Sequence, residues 1–157
     1  MPRAKEAKPG YLDLLNAICL AEGRAGIFLK SWAGKTPDPG LKACLSLVAA
    51  RETSHRNIFK RRIHELGYTV QQKDDPSFQE RLQVLGSDIP DIVKLRWQQT
   101  RQQQQPQRPT LREGYEAAMS DETVDPLTRS LLRWFADEED DSRAVLREAY
   151  AGVEARG

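Results

Sequence analysis

Acidic side chains on otherwise apolar helical faces are the residues of this sequence best suited to chemistry. In the first predicted helix, Glu22 shares a face with Ile18 and Leu29, because offsets of four and seven residues return to the same side of a helix. In the second predicted helix, Glu52 and His55 interrupt an apolar face in the same way. An uncompensated buried carboxylate costs several kcal/mol, so such groups need a cation, a hydrogen-bonding partner or a proton. Carboxylates with an imidazole can bind a transition-metal ion.

The spacing of these groups predicts that they meet. A turn centred near residue 36 lies fourteen residues after Glu22 and sixteen before Glu52, which puts both at one height on antiparallel helices. One Glu and a neighbouring Glu-x-x-His form half of a carboxylate-bridged di-iron or di-manganese site. The alternative for Glu52 and His55 is a hydrogen-bonded pair that closes on Arg24 or another cation, with Glu22 as a surface residue at the edge of its stripe.

Helical hairpins must position these groups, and the sequence predicts two of them. The predicted elements are a tail at 1–9, a first hairpin at 10–67, a crossover at 68–108 and a second hairpin at 109–151. Their helices are predicted at about 11–33, 39–66, 76–85, from a cap at Ser87 or Asp88 onward, 110–120 and 126–150. No segment has the two-residue alternation of a strand. The predicted fold class is therefore all-α, as one domain over 1–157.

Three segments resemble the ligand-bearing segments of the rubrerythrin branch of the ferritin-like superfamily. They are Glu22, Ala50-Arg-Glu52-Thr-Ser-His55 and Phe135-Ala-Asp-Glu-Glu139. The resemblance implies a ferritin-like four-helix bundle of two antiparallel hairpins joined by a long helical crossover. It also implies paired iron or manganese ions that react with oxygen or peroxide. Its metal ligands here are Glu22, Glu52, His55 and Glu139, and the last shares a stripe with Leu132, Phe135 and Leu146.

The fourth helix departs from the family pattern, which carries a second Glu-x-x-His there. With Glu139 as the ligand, Ser142 stands at the histidine position, and with Glu138 as the ligand, Asp141 does. The third helix is a second departure, because its acidic residues face away from its apolar side. The sequence leaves open whether any of four further residues contributes a ligand: Glu138, Asp141, Glu113 and Glu116.

The amino-acid composition limits the classes of binding partner that we expect. Lys and Arg number 24 against 23 Asp and Glu, so no overall field attracts nucleic acid or an anionic membrane. No apolar run approaches the roughly 20 residues of a membrane span, and the charged amino terminus lacks the apolar core of a signal peptide. We therefore expect a cytoplasmic protein that binds neither nucleic acid nor membrane.

Two functions of different classes follow from these residues. The first is a metal-dependent protein, a di-iron or di-manganese oxidoreductase that acts on oxygen or peroxide, with metal ions as its partners. The second is a ferritin-like bundle without metal that acts as a structural or protein-interaction module, with a homodimer as one form. The intact first half of the motif favours the first function, and the missing histidine of the fourth helix favours the second.

Overall fold

The computed structural model describes residues 7–105 and 110–157, and within these ranges the chain has six α-helices and no strand. The prediction of an all-α fold is confirmed. The helices are α1 (Leu12–Ala33), α2 (Pro39–Glu65), α3 (Phe78–Leu85), α4 (Asp91–Gln104), α5 (Leu111–Met119) and α6 (Pro126–Arg156). Residues 1–6 of the predicted tail, and 106–109 at the predicted junction of crossover and second hairpin, lie outside the described residues.

Capping side chains set the starts of the long helices. The Asp38 carboxylate accepts hydrogen bonds from the backbone N–H groups of Gly40 (2.9 Å) and Leu41 (3.2 Å) at the start of α2. Asp125 does the same for α6, where its Oδ2 accepts from the Thr128 backbone N–H at 3.0 Å. In both helices a proline occupies the first turn, where its missing N–H leaves no helical bond unmade.

Two predicted boundaries were wrong. Helix α4 begins at Asp91 rather than after Ser87 or Asp88, because Pro90 biases the residue before it away from helical backbone. The last helix continues to Arg156, beyond the predicted end near residue 150. It continues because Val153 is buried in the core and stabilises another turn of helix.

Some helices pack against the next helix in the sequence, and others pack against helices that are distant in the sequence. Helix α1 packs along α2, α6 packs against both α2 and α5, and α1 also contacts α5. Gly26 allows α1 and α2 to approach closely, since a Cβ there would lie 2.9 Å from Thr53 Oγ1. None of the described helices combines the length and apolar character needed to cross a lipid bilayer.

The apolar core forms two clusters along the helices. One contains Leu15, Ile18, Phe59, Tyr115, Leu132 and Phe135, and the other contains Phe28, Trp32, Leu41, Leu45, Leu85 and Val153. Along α1 and α2, the positions of Glu22, Glu52 and His55 fall between these two groups. The polar residues therefore lie in the middle of a packed interior, where well-filled apolar walls hold them in place.

Helices α3 and α4 are fixed by buried polar contacts. Asp91 at the start of α4 accepts hydrogen bonds from Trp32 Nε1 (2.8 Å) and Thr36 Oγ1 (2.6 Å). Lys94 is buried, and its Nζ donates to the carbonyl oxygens of Leu85 (2.8 Å) and Ser87 (2.6 Å) at the end of α3. These bonds pair the last carbonyls of α3 and keep α3 and α4 together beside the central helices.

Candidate metal centre

Four side chains from three helices meet in the interior. Glu22 comes from α1, Glu52 and His55 from α2, and Glu139 from α6, and each offers one ligand atom within 4.8 Å of the others. His55 is completely buried, and Glu22 and Glu52 are 4% and 6% exposed. The structure thus brings together the three groups of the first hairpin, at the height that their spacing predicts, and places Glu139 opposite them.

The imidazole of His55 links two carboxyl groups. Its Nδ1 lies 3.0 Å from Glu22 Oε2 and its Nε2 lies 3.0 Å from Glu138 Oε1. A neutral imidazole has one N–H, so both bonds require either a protonated ring or a carboxyl group that donates. The edges of Trp134 and Phe135 pack at centroid distances of 5.1 Å and fix the ring's orientation.

The carboxyl groups of the cluster hold protons more strongly than usual. Burial, together with the neighbouring Glu22, raises the pKa of Glu52 to about 9. Burial also raises the pKa of Glu22 to about 7, with a contribution from Glu139. The pKa of Glu139 rises to about 7 because of burial and the nearby Glu52. Protons therefore compensate much of the charge in this cluster at neutral pH.

One buried oxygen of the cluster is left without a hydrogen bond. Within the described chain, Glu139 Oε1 is buried and has no hydrogen-bond partner, although it lies 3.6 Å from His55 Nδ1. Buried polar atoms without partners are uncommon in folded proteins, because no hydrogen bond offsets the free energy of their desolvation. This oxygen is therefore free to bind a cation inside the cluster.

The structure also separates Glu138 from Glu139, which are adjacent in sequence. Glu138 lies on the far side of the imidazole from the carboxyl cluster, and Arg51 approaches it at 3.8 Å. Arg24, the cation considered as a partner for Glu52 and His55, donates instead to the carbonyl oxygen of Lys73. The pairing with Arg24 is not present among the described residues, although Arg24 lines the same cavity as the carboxyl cluster.

Arg51 pairs with the two residues that stand at the histidine positions of the predicted second half-site. Its Nη1 donates to Asp141 Oδ2 at 2.7 Å and to Ser142 Oγ at 3.2 Å. Sequence reasoning missed Arg51 as a functional residue, and its position next to Glu52 was the available signal. The guanidinium carries a fixed positive charge, so it neutralises the acidic residues that remain on this side.

The third predicted helix adds no carboxylate to the cluster. Glu113 forms a capping box with Thr110 at the start of α5. Glu116 accepts a hydrogen bond from Arg112 at 2.7 Å and is exposed. Tyr115 is the buried residue of α5 nearest the site, and its hydroxyl has no hydrogen-bond partner among the described residues.

The donor set fits one transition-metal ion. Oxygen and nitrogen ligands lie roughly 2.0–2.2 Å from such an ion, so ligands on opposite sides are about 4.2 Å apart. The observed maximum of 4.8 Å needs only a small contraction of the side chains. Three carboxylates with one imidazole suit iron or manganese better than a soft, thiolate-seeking ion. The three carboxyl residues also line a cavity, and residues of α4 form another part of its lining.

Comparison with known proteins adds no relative. No protein-family model matches the chain, and no curated protein or solved structure matches it. The resemblance to the rubrerythrin branch therefore stays a prediction based on its three matching segments. Function is inferred from the all-helical fold and from the buried cluster itself.

Proposed function

We propose that this chain is a ferritin-like metal-binding protein whose site holds a single iron or manganese ion through Glu22, Glu52, His55 and Glu139. The observation that carries the proposal is the meeting of four ligand atoms within 4.8 Å in the interior, together with a buried carboxylate oxygen of Glu139 that has no hydrogen-bond partner among the described residues. A divalent cation compensates buried carboxylates more completely than hydrogen bonds alone.

Each residue has a role in this proposal. The carboxylates of Glu22, Glu52 and Glu139 supply oxygen ligands, and His55 supplies Nδ1, which faces them. The other nitrogen, Nε2, donates to Glu138, and Arg51 in turn holds Glu138. A carboxylate on the second nitrogen of a metal-binding histidine fixes the tautomer and makes the ring a better ligand.

The proposed fold is the ferritin-like bundle, with α1 and α2 as one antiparallel hairpin and α5 and α6 as the other. The short reversals at 34–38 and 120–125 support antiparallel neighbours, as do the contacts between the members of each pair. The long segment with α3 and α4 then serves as the crossover between the two hairpins.

The proposed activity is an oxidoreductase reaction with oxygen or peroxide. An iron or manganese ion supplies the capacity to change oxidation state, and the chain supplies a buried site with access from one side. The three carboxyl residues face the cavity beside α4, so a small molecule has a route to the cluster. The fixed cation at Arg51 favours one ion over the predicted pair, because the remaining acidic residues are already paired with it.

A second candidate is the metal-free bundle that acts as a structural or protein-interaction module, with a homodimer as its assembled form. The observation that favours it is that both nitrogens of His55 already have carboxyl partners at 3.0 Å. Protons on the carboxyl groups with raised pKa would then compensate the buried charge, as the metal ion does in the first proposal.

Metal content tests the two candidates. Purified without chelator, the protein should carry about one iron or manganese ion per chain by elemental analysis, and the stripped protein should rebind ferrous iron under anaerobic conditions. The bound ion should raise the melting temperature, because it binds only the folded state.

The two histidines of the chain provide a matched pair of variants. His55→Ala should abolish both binding and the gain in melting temperature, whereas His64→Ala should change neither, since His64 is exposed. Stripped protein that binds neither iron nor manganese at micromolar concentration would refute the metal function. The metal-free structural or protein-interaction module would then be the remaining candidate.

A further inference from the structure

A cavity of about 480 Å³ lies between α1, α4 and α6, with the carboxyl cluster at its inner wall. Its volume is in the range of sites that hold small organic molecules. Glu22, Glu52 and Glu139 line it on one side, and its apolar surface includes Phe28, Leu146 and Tyr150, with Trp97 on the α4 side. The space is larger than oxygen or peroxide needs.

Three arginines line the same cavity, each from a different element. Arg24 belongs to α1, Arg81 to α3 and Arg101 to α4, and all three are half-buried. Within the described chain none of them forms a salt bridge within 4.0 Å, and Asp75 is the single acidic lining residue besides the carboxyl cluster. The carboxyl cluster lines one side of the cavity, and on the rest of its lining the three arginines outnumber the single acidic residue, Asp75.

An anion in the cavity would compensate the partly buried charges of Arg81 and Arg101. The guanidinium carbon of Arg81 lies 4.2 Å from the centre of the Phe28 ring, and its Nε is buried with no hydrogen-bond partner among the described residues. Burial lowers the pKa of Arg81, and the charge of Arg101 lowers it further, whereas Asp75 raises it. Both guanidinium groups line the cavity, and each carries several N–H donors.

We propose that this cavity binds a small organic anion, with its carboxylate or phosphate group on Arg81 and Arg101 and its apolar body along Phe28 and Leu146 toward the carboxyl cluster. Guanidinium groups recognise both kinds of anion through paired hydrogen bonds. As the substrate class of the metal site, this assignment rests on the proposed function, whereas binding in the cavity does not require the metal. The inner end of the anion would be the part presented to the site.

The test uses the full chain, stripped of metal with a chelator. Calorimetry measures the binding of three probes that each carry an eight-carbon chain. Octanoate and octyl phosphate should bind and octylammonium should not, and the relative affinity of the two anions identifies the preferred head group. Arg81→Gln and Arg101→Gln should each weaken binding at least tenfold. Arg133→Gln, the same change at an exposed arginine outside the cavity, should leave it unchanged.

Several results would overturn the assignment. Octylammonium that binds as well as octanoate would show that the arginines do not select the head group, and unchanged affinity in both variants would remove the arginines from the site. Binding only to iron-loaded protein, without loss in the variants, would place the head group at the ion instead. Because Arg81 packs on Phe28, Arg101→Gln decides the outcome if Arg81→Gln fails to fold. Anion binding by a chain that takes up neither iron nor manganese would uphold the cavity and refute the metal function separately.

Discussion

Replacing Glu52 by glutamine should stabilise the metal-free protein. Glu52 is 6% exposed, and burial beside Glu22 raises its pKa from 4.5 to about 9. Because pH 7 lies 2.5 units above the ordinary pKa, folding at pH 7 requires this carboxyl group to take up a proton. Each unit corresponds to about 1.4 kcal/mol, so the folded state loses up to about 3 kcal/mol on this account. Glutamine has the same shape, can donate like the protonated acid, and needs no proton.

The expected gain is therefore about 1–3 kcal/mol at pH 7. The sign with pH follows from the raised pKa: the folded state binds the extra proton, so the wild-type protein loses stability as pH rises from 4.5 toward about 9. The advantage of Glu52→Gln should thus be small at pH 5 and grow through pH 8. Urea unfolding of chelator-treated protein at pH 5, 6, 7 and 8 measures it.

Glu148→Gln is the matched control, since Glu148 is an exposed glutamate of α6 and its replacement should change stability little at any of these pH values. A loss of more than about 1 kcal/mol in Glu52→Gln at pH 7 would show that the carboxylate is ionised and paired with a cation. A gain that does not vary with pH would equally refute the reasoning, because a proton would then not be involved.

Four further changes test other parts of the structure. Glu138→Gln should lower the affinity for iron about tenfold, because Glu138 contacts His55 Nε2. Asp137→Asn, the control, should leave the affinity unchanged. Equal affinities of the two variants in an anaerobic titration would remove Glu138 from the site. Tyr115→Phe should be neutral or stabilising by up to about 1 kcal/mol in thermal unfolding, since the buried hydroxyl has no partner among the described residues, and a clear loss would reveal one. Asp125→Asn should cost about 1–2 kcal/mol at pH 7 and about half as much at pH 3: burial raises the pKa of Asp125, but bonds from Tyr11, Thr128 and Arg62 outweigh it and lower the pKa to about 2, so this stability is fully present well above pH 3.8 and is lost as pH falls through about 2. Urea unfolding at the two pH values checks this, and an equal cost at both would contradict it. Lys94→Met should cost about 1–3 kcal/mol and speed hydrogen exchange in α3, because two buried carbonyl groups lose their donor, whereas Lys42→Met at an exposed site should do neither.

Local signals in the sequence predicted most of the helices. Asp38 and Asp125, each followed by proline, indicate helix starts whatever the rest of the chain does. The end of α6 was not predictable in this way, since the turn after residue 150 depends on the burial of Val153 in the core. A boundary that depends on distant packing has no local signal.

The sequence by itself also determined the meeting of Glu22, Glu52 and His55. Helical periodicity fixes the face on which a residue lies, and a short reversal fixes the height of one helix against the next. Both quantities are read along the chain, so the position of these three groups needed no knowledge of the remaining helices. Glu139 followed from the same periodicity once α6 was taken to cover them.

Only the tertiary structure decided the partners of the charged side chains. Glu138 and Glu139 are adjacent on α6, yet Glu139 faces the carboxyl cluster and Glu138 faces the far nitrogen of His55. Arg51 and Arg24 could each reach several groups, because a long flexible side chain covers more space than helical spacing can specify. Which acid Arg51 contacts, and where Arg24 points, depends on how α6 and the crossover pack around α2 and α1. Contacts between such elements are set by the whole fold, and no local pattern encodes them.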